Sequence, residues 1–203
     1  MTPKQAKYPW TRTSRDSALA ALDRAAQIRV LVVGDLMVDQ YLIGRVDRIS
    51  PEAPVPVVSA TQRERRLGGA ANVALNLRAL GCTVTLAGLV GEDDHGRHLR
   101  AELGEAGIGG DGVTVAHDRP TTLKTRVMSG GQHMIRVDEE VDQDVNDAGA
   151  KALLQAIRDA LSAQPHQAIL LEDYDKGALS NDVIDGILSL ARELDIPVSV
   201  DPK

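Results

Sequence analysis

The sequence predicts an α/β fold: a doubly wound, mostly parallel sheet accompanied by a small second β-sheet. Three observations carry that prediction. Residues 29–34 (RVLVVG) and 168–171 (AILL) are uninterrupted apolar runs, the pattern of strands buried on both faces. From Ala70 onward, stretches of helical periodicity alternate with strands, and such alternation builds a parallel sheet with helices on both faces. Two intervals, 41–67 and 113–137, offer short strands with no crossover helix and pair most economically into a sheet of their own.

Taken in order, residues 1–28 read as an N-terminal extension to a domain over 29–203. Within it Leu19, Leu22 and Ala26 fall at helical spacing, which predicts a short amphipathic helix over 14–27. The first strand, 29–34, ends in Gly34, and Asp39 is expected at or just beyond its C-terminal end. In 41–67 the segment SPEAPVPVV holds Pro51, Pro54 and Pro56. These prolines exclude a helix and disfavour a central strand, so an edge strand or an excursion from the main sheet remains. A helix over 71–80 ends at Gly81, and strand 83–90 and helix 94–106 follow. Short strands are expected at 113–115, 123–128 and 133–137. Helix 147–162, which Asn146 is placed to cap, precedes strand 168–171, helix 180–193 and strand 197–200. Right-handed crossovers set the C-terminal ends of the parallel strands along one edge, where ligands of such folds bind. The separate sheet is expected to form a flap over that edge.

Composition bounds the function. Hydrophobic residues make up 43% and charged residues 26%, the balance of an ordinary globular protein. Aromatics amount to 2% with no Phe, so the core must be built from Ala, Val, Leu and Ile. A net charge of −6 argues against nucleic-acid binding, which rests on phosphate neutralisation by Lys and Arg. It leaves room for a phosphorylated small molecule, because a few local cations can dominate a pocket. Cys82 is the single cysteine, which excludes an intrachain disulfide, and it reads as a small packed residue. No apolar run approaches the roughly 20 residues of a membrane span, and no apolar signal core follows the basic N-terminus, so the cytoplasm is the expected location.

The local feature with most chemical content is Gly68-Gly69-Ala70-Ala71-Asn72, directly before a helix. Small residues there let a ligand approach the backbone, and the helix start offers unpaired N–H groups. Asn72 adds a donor and an acceptor on the first turn. Asn72, Ala74, Gly81 and Gly91 keep a spacing that resembles the first signature of the ribokinase-like (PfkB-type) carbohydrate kinases. The resemblance runs from about Arg29 to Lys203. It implies a ribokinase-like fold in which Gly68, Gly69 and Asn72 line the sugar pocket and Asp39, in GDLMVD, accepts hydrogen bonds from sugar hydroxyls.

A narrower resemblance lies in RISPEAPVPVV, TTLKTRVMSGGQHMIRVDEE and LEDYDKGAL, which look like the kinase domain of the heptose 7-phosphate kinases of lipopolysaccharide-core synthesis. That family phosphorylates the C1 hydroxyl of D-glycero-β-D-manno-heptose 7-phosphate with ATP and Mg²⁺. The two irregular intervals would then be its β-lid, which often mediates dimerisation. A phosphorylated sugar needs cations, and Lys124, Arg126 and Arg136 gain that reading, although charges on a solvated lid surface need no ligand. Lys176 follows a buried strand and so belongs to the ligand edge; Asp173 beside it is a candidate sugar contact, and Asp175 faces solvent.

Other candidates carry less. His95 and His98 lie three apart on a helix with no third ligand nearby, and Asp93 and Asp94 suit a helix N-terminus. There is no GxxxxGK[ST], and Gly34 lacks the rest of a GxGxxG. The resemblance places the catalytic base, the anion hole and the nucleotide pocket in a later GAGD-containing half. The chain stops at Asp201-Pro202-Lys203, so no catalytic residue is assigned, and the fold is expected to be incomplete at its C-terminus. Gly107-Ile108-Gly109-Gly110-Asp111 is no substitute, because it follows the second helix of the fold. The expected partners are a sugar-phosphate substrate, a second copy through the lid, and a complementing C-terminal polypeptide. A non-catalytic sugar-phosphate-binding or dimerisation module, and a kinase for another sugar, remain the alternatives.

Overall fold

The fold is described by a computed structural model over residues 15–203. The first 14 residues of the expected extension lie outside the described residues. The chain runs α1 (Arg15–Ala25), β1 (Arg29–Gly34), β2 (Leu36–Ile49), β3 (Pro56–Gly69), α2 (Ala70–Ala79), β4 (Thr83–Gly91), α3 (Asp94–Glu105) and β5 (Gly109–Ala116). It continues through β6 (Thr122–Ser129), β7 (Gln132–Glu139), α4 (Asp147–Ala163), β8 (Ala168–Glu172), α5 (Asn181–Glu193) and β9 (Val198–Asp201).

The main sheet has five parallel strands in the order β5-β4-β1-β8-β9. Its central strand explains the apolar run that announces it. Val30 and Val32 point into one core with Leu86 of β4, Ala74 of α2, and Leu99 and Leu103 of α3. Leu31 and Val33 point into the other, with Leu153 and Ile157 of α4 and Val183 and Ile187 of α5. A strand that alternates between two apolar cores has no polar face to show. Each fully buried Leu or Ile contributes roughly 1.5–3 kcal/mol, so these two layers hold the sheet between its helices. α4 buries Ala150, Leu153, Ile157 and Leu161 at three- and four-residue spacing, and its predicted Asn146 cap accepts the Gly149 N–H at 2.8 Å. Cys82 packs in the first core as a small apolar residue. α1 buries none of its residues. Among the described residues no helix is long and apolar enough to cross a membrane.

The second sheet has four strands in the order β3-β2-β6-β7, with β2 and β6 parallel and the other pairs antiparallel. β3 begins at Pro56 and forms the sheet's edge, the place where a residue without an N–H costs least. Two boundaries differ from the sequence reading. Residues 113–115 do not join the small sheet: β5 pairs in parallel with β4 in the main sheet, as the crossover helix α3 requires. β2 begins at Leu36, well ahead of Tyr41, so Asp39 is the fourth residue of a central strand of the small sheet and does not stand at the end of β1.

The strand order reverses at β1: β4 and β5 lie on one side, β8 and β9 on the other. Such a reversal opens a crevice at the strand C-termini. The chain crosses into the second sheet at this point through a single residue, Asp35, between β1 and β2.

Candidate functional site

The site is built outward from that crossing. β2 and β3 close their ladder with Leu36 opposite Gly69, and α2 starts at the next residue. Gly69 has φ +55, and a Cβ there would stand 2.3 Å from the Asp35 carbonyl oxygen. Only glycine allows that approach, which lets the Ala70 N–H reach the same carbonyl oxygen at 3.0 Å. A Cβ on Gly68 would lie 2.8 Å from Asp39 Oδ2, so that glycine leaves room for the Asp39 carboxylate.

A cleft of about 380 Å³ opens above this turn. Gly69 and Asn72 form its floor, Asp39, Lys124 and Arg126 its small-sheet wall, and Lys176 its far wall. Arg136, Glu140, Tyr174 and Lys203 complete the rim. Parallel register sets Asp39 beside Lys124 and Tyr41 beside Arg126, so alternate residues of β2 and β6 face the cleft together.

The cations are held by carboxylates. Arg126 donates to Asp39 Oδ1. Lys124 reaches Asp138 at 3.1 Å and Glu140 at 2.6 Å, while Lys176 reaches the other Glu140 oxygen at 2.9 Å. Arg136 pairs with Asp138 at 2.9 Å. Burial works against the charged form of Asp138 and Glu140, but hydrogen bonds from Lys124, with Arg136 and Lys176, outweigh it and hold both carboxyls below their ordinary range. The hydrogen bond to Glu140 in turn raises Lys176. Arg66 and Arg126 both lie over the Tyr41 ring, at 4.8 and 5.4 Å from its centroid, which restricts where the Arg126 fork can point.

Lys176 owes its position to a turn with unusual backbone support. The Asp35 carboxylate accepts the N–H groups of Tyr174 at 2.8 Å, Lys176 at 3.0 Å and Ala178 at 3.1 Å. Burial raises the Asp35 pKa, and those three donors oppose the rise. From the other side Arg119 donates to the carbonyl oxygens of Lys176 (3.1 Å) and Gln143 (3.0 Å). Gly177, at φ +78, passes so close to the Gln143 carbonyl oxygen that a Cβ would lie 2.0 Å from it.

The cleft lies at the strand-order reversal, with a small-residue turn, an Asp and an Asn converging on it beneath a separate β-sheet, and the chain that forms it is similar to known proteins. The description "pfkB family carbohydrate kinase" fits residues 27–201. The chain belongs to the pfkB family of carbohydrate kinases. Among its relatives, the D-beta-D-heptose 7-phosphate kinase of Bordetella bronchiseptica is 47% identical over 183 residues, covering 89% of this chain and 56% of that protein. The bifunctional protein HldE of Citrifermentans bemidjiense is 46% identical over 183 residues, covering 89% of this chain and 37% of its own length. The chain therefore spans between a third and three-fifths of these relatives. Among solved structures, a carbohydrate kinase from Agrobacterium tumefaciens superposes with a TM-score of 0.63 at 21% identity, over 85% of this chain and 53% of that one. Arabidopsis thaliana ribokinase complexed with ribose and ATP gives 0.58 at 21% identity, over 86% and 53%. The fold is thus ribokinase-like.

Within this pfkB-family fold, the sequence-predicted residues Asp39, Gly69, Asn72, Lys124, Arg126 and Lys176 meet at one cleft, and Gly68 lies directly under Asp39. Asp173 does not line the cleft; its Oδ1 accepts the Asp175 N–H at 2.8 Å and shapes the turn. Asp175 is exposed, at φ +57, and pairs with Lys203 at 3.1 Å. Asp93 caps α3 and also accepts the Thr121 N–H at 2.7 Å. Asp111 borders a groove with Arg29 and Thr83, the first residues of their strands, at the sheet edge opposite the cleft. Sequence reasoning missed Asp35, Arg119 and Glu140. A carboxylate directly after a buried central strand was the available signal for Asp35; Glu140 and Arg119 had none short of the folded geometry.

Proposed function

We propose that this chain forms the sugar-phosphate-binding part of an ATP-dependent kinase acting on the C1 hydroxyl of D-glycero-β-D-manno-heptose 7-phosphate. The observation that carries the reading is the convergence of Asp39 and Asn72 with Lys124, Arg126 and Lys176 on one cleft. Asp39 and Asn72 suit sugar hydroxyls, one as acceptor only and the other as donor and acceptor. The lysines and arginine suit the phosphate already on the sugar. The identities of 46–47% to proteins named for heptose 7-phosphate or HldE support that choice of sugar.

Kinases of this family use ATP and a divalent metal. In this cleft Asp39 is engaged by Arg126, and Glu140 by two lysines. Among the described residues no three His, Cys, Asp or Glu side chains group so as to hold a metal ion. This donor set does not fit a Mg²⁺ seat, and no chemical step is assigned to it. The residues present bind and orient the acceptor; fixing its hydroxyl before reaction is a contribution of positioning and electrostatics.

Isothermal titration of the protein with heptose 7-phosphate, with the same heptose lacking the phosphate, and with an ATP analogue tests the reading. Binding of the phosphorylated sugar, weakened at least tenfold by Asp39→Asn and by removal of the phosphate, is expected. Sugar binding without binding of the ATP analogue would favour a binding module, and no sugar binding at all would remove the proposal.

A further inference from the structure

We infer that Asp35 is a positioning residue that fastens the floor and the far wall of the cleft: its carbonyl oxygen holds the glycine turn at Ala70, and its carboxylate holds the turn that carries Lys176. The inference rests on the sugar-phosphate reading above and adds how the phosphate-facing lysine is kept in place.

Asp35 is 2% exposed and does not line the cleft, so it is placed to act through its neighbours. Its backbone is pinned on both sides, with its N–H on the Glu172 carbonyl oxygen at 3.2 Å and its carbonyl oxygen on Ala70 N–H at 3.0 Å. Its side chain is as firmly occupied. Oδ2 accepts from Tyr174 and Lys176, and Oδ1 accepts from Ala178. Three alternate N–H groups of one turn therefore converge on a single carboxylate, an arrangement that suits an ionised acid, which accepts at both oxygens and carries no O–H to compete with the donors. The residue is also the whole of the β1–β2 crossing, one of the connections between the two sheets. A shift of the 174–178 turn relative to Asp35 moves Lys176 relative to Asp39 and Asn72, which descend from the same junction. Residues in a wall fixed this way keep the reach of a long, flexible side chain short and repeatable.

Asp35→Asn is the sharp test. Its amide NH₂ cannot accept, so in either orientation at least one turn N–H faces a donor. The Asp35 carbonyl contact to Ala70 survives, leaving the glycine floor alone. The protein is titrated with heptose 7-phosphate and with phosphate-free heptose in four forms: wild type, Asp35→Asn, Lys176→Met and the double variant. Exchange of the Tyr174, Lys176 and Ala178 amides is followed in parallel. Expected are a roughly tenfold or greater loss of sugar-phosphate affinity in Asp35→Asn, little further loss when it is added to Lys176→Met, and faster exchange at the three amides. Asp35→Ser, a smaller acceptor with room for a water, takes its place if the amide variant does not fold. Wild-type protein that ignores heptose 7-phosphate would overturn the sugar-phosphate reading itself. Wild-type binding with equal losses on both Lys176 backgrounds, or with unaltered exchange, would overturn the positioning role alone.

Discussion

Lys176 and Glu140 lie 2.9 Å apart and join the turn after β8 to the end of β7 in the small sheet. The second Glu140 oxygen takes Lys124 at 2.6 Å, so one carboxylate occupies two ammonium groups at the mouth of the cleft. A ligand phosphate would compete for the same two donors. Glu140→Gln should therefore bind inorganic phosphate about tenfold more tightly than wild type, since removing one charge a few ångströms away is worth about 1.4 kcal/mol at an intermediate dielectric. The same change should cost about 1–2 kcal/mol of stability through the lost charged hydrogen bonds. Competition titration and denaturant unfolding measure the two effects; weaker phosphate binding would show that Glu140 orients the lysines without opposing the ligand.

The pH dependence of this cluster has a definite sign. Asp138 and Glu140 titrate below their ordinary values of 3.8 and 4.5 when folded, because the lysine and arginine hydrogen bonds outweigh burial. Their contribution is complete above those ordinary values and is lost as pH falls through the lower folded ones. Denaturant midpoints of the Asp138→Asn, Glu140→Gln double variant should lie below those of wild type across neutral pH by a constant margin. That margin should close in acid, below about pH 4. A margin that instead widened toward acid would contradict the assigned direction.

Much of the fold could be read in advance because burial and sequence pattern agree. β1 and β8 carry unbroken apolar runs, Val30 to Val33 and Ala168 to Leu171, since each feeds two cores. β5 was harder. Gly109, Gly110 and Gly112 interrupt its apolar rhythm, yet Gly112 belongs in the sheet because a Cβ there would meet the Ala87 Cβ at 2.7 Å. β2 hid its start for a related reason. Gln40 is buried on the core side, where it bonds Thr125 at 3.1 Å and accepts from Arg65 at 3.2 Å, so a satisfied polar residue stands where an apolar one would mark the face. At the site, the small-residue turn and its spacing pointed to Gly68, Gly69 and Asn72, and the family resemblance pointed to Asp39. The pairing of each cation with its carboxylate, and the grip of Asp35 on a turn some 140 residues away, exist only once the two sheets meet.

The paired glycines should separate stability from binding. Gly69→Ala forces a side chain to φ +55 and drives its Cβ to 2.3 Å from a backbone oxygen that cannot yield, so a loss of about 3 kcal/mol or more is expected. Gly68→Ala meets only side-chain atoms, Met37 Cγ at 2.7 Å and Asp39 Oδ2 at 2.8 Å, which can move aside. Its stability cost should stay near 1 kcal/mol, while sugar-phosphate affinity falls because Asp39 is displaced. Thermal unfolding beside calorimetric titration of both variants checks the contrast. Equal effects of the two on either measurement would refute it.

A buried acid outside the cleft sets the opposite trend at higher pH. The Glu172 side chain is in a residue only 4% exposed, beside Asp201 in the β8–β9 register. Burial raises its pKa above the ordinary 4.5, the Asp201 charge adds to the rise, and a hydrogen bond from Tyr174 opposes it. The folded state therefore keeps this proton to higher pH than the unfolded chain does. Between the two values the folded state binds more protons, so this group's contribution to stability falls as pH rises and levels off above the folded pKa. Glu172→Gln removes the trend and preserves the shape, and its backbone oxygen still accepts the Asp35 N–H. The variant should be more stable than wild type by about 1 kcal/mol at pH 7.5, with the gain vanishing toward pH 4. Unfolding midpoints across that range decide it: a variant that gains nothing at pH 7.5 would mean that Tyr174 and the neighbouring backbone compensate the buried charge in full.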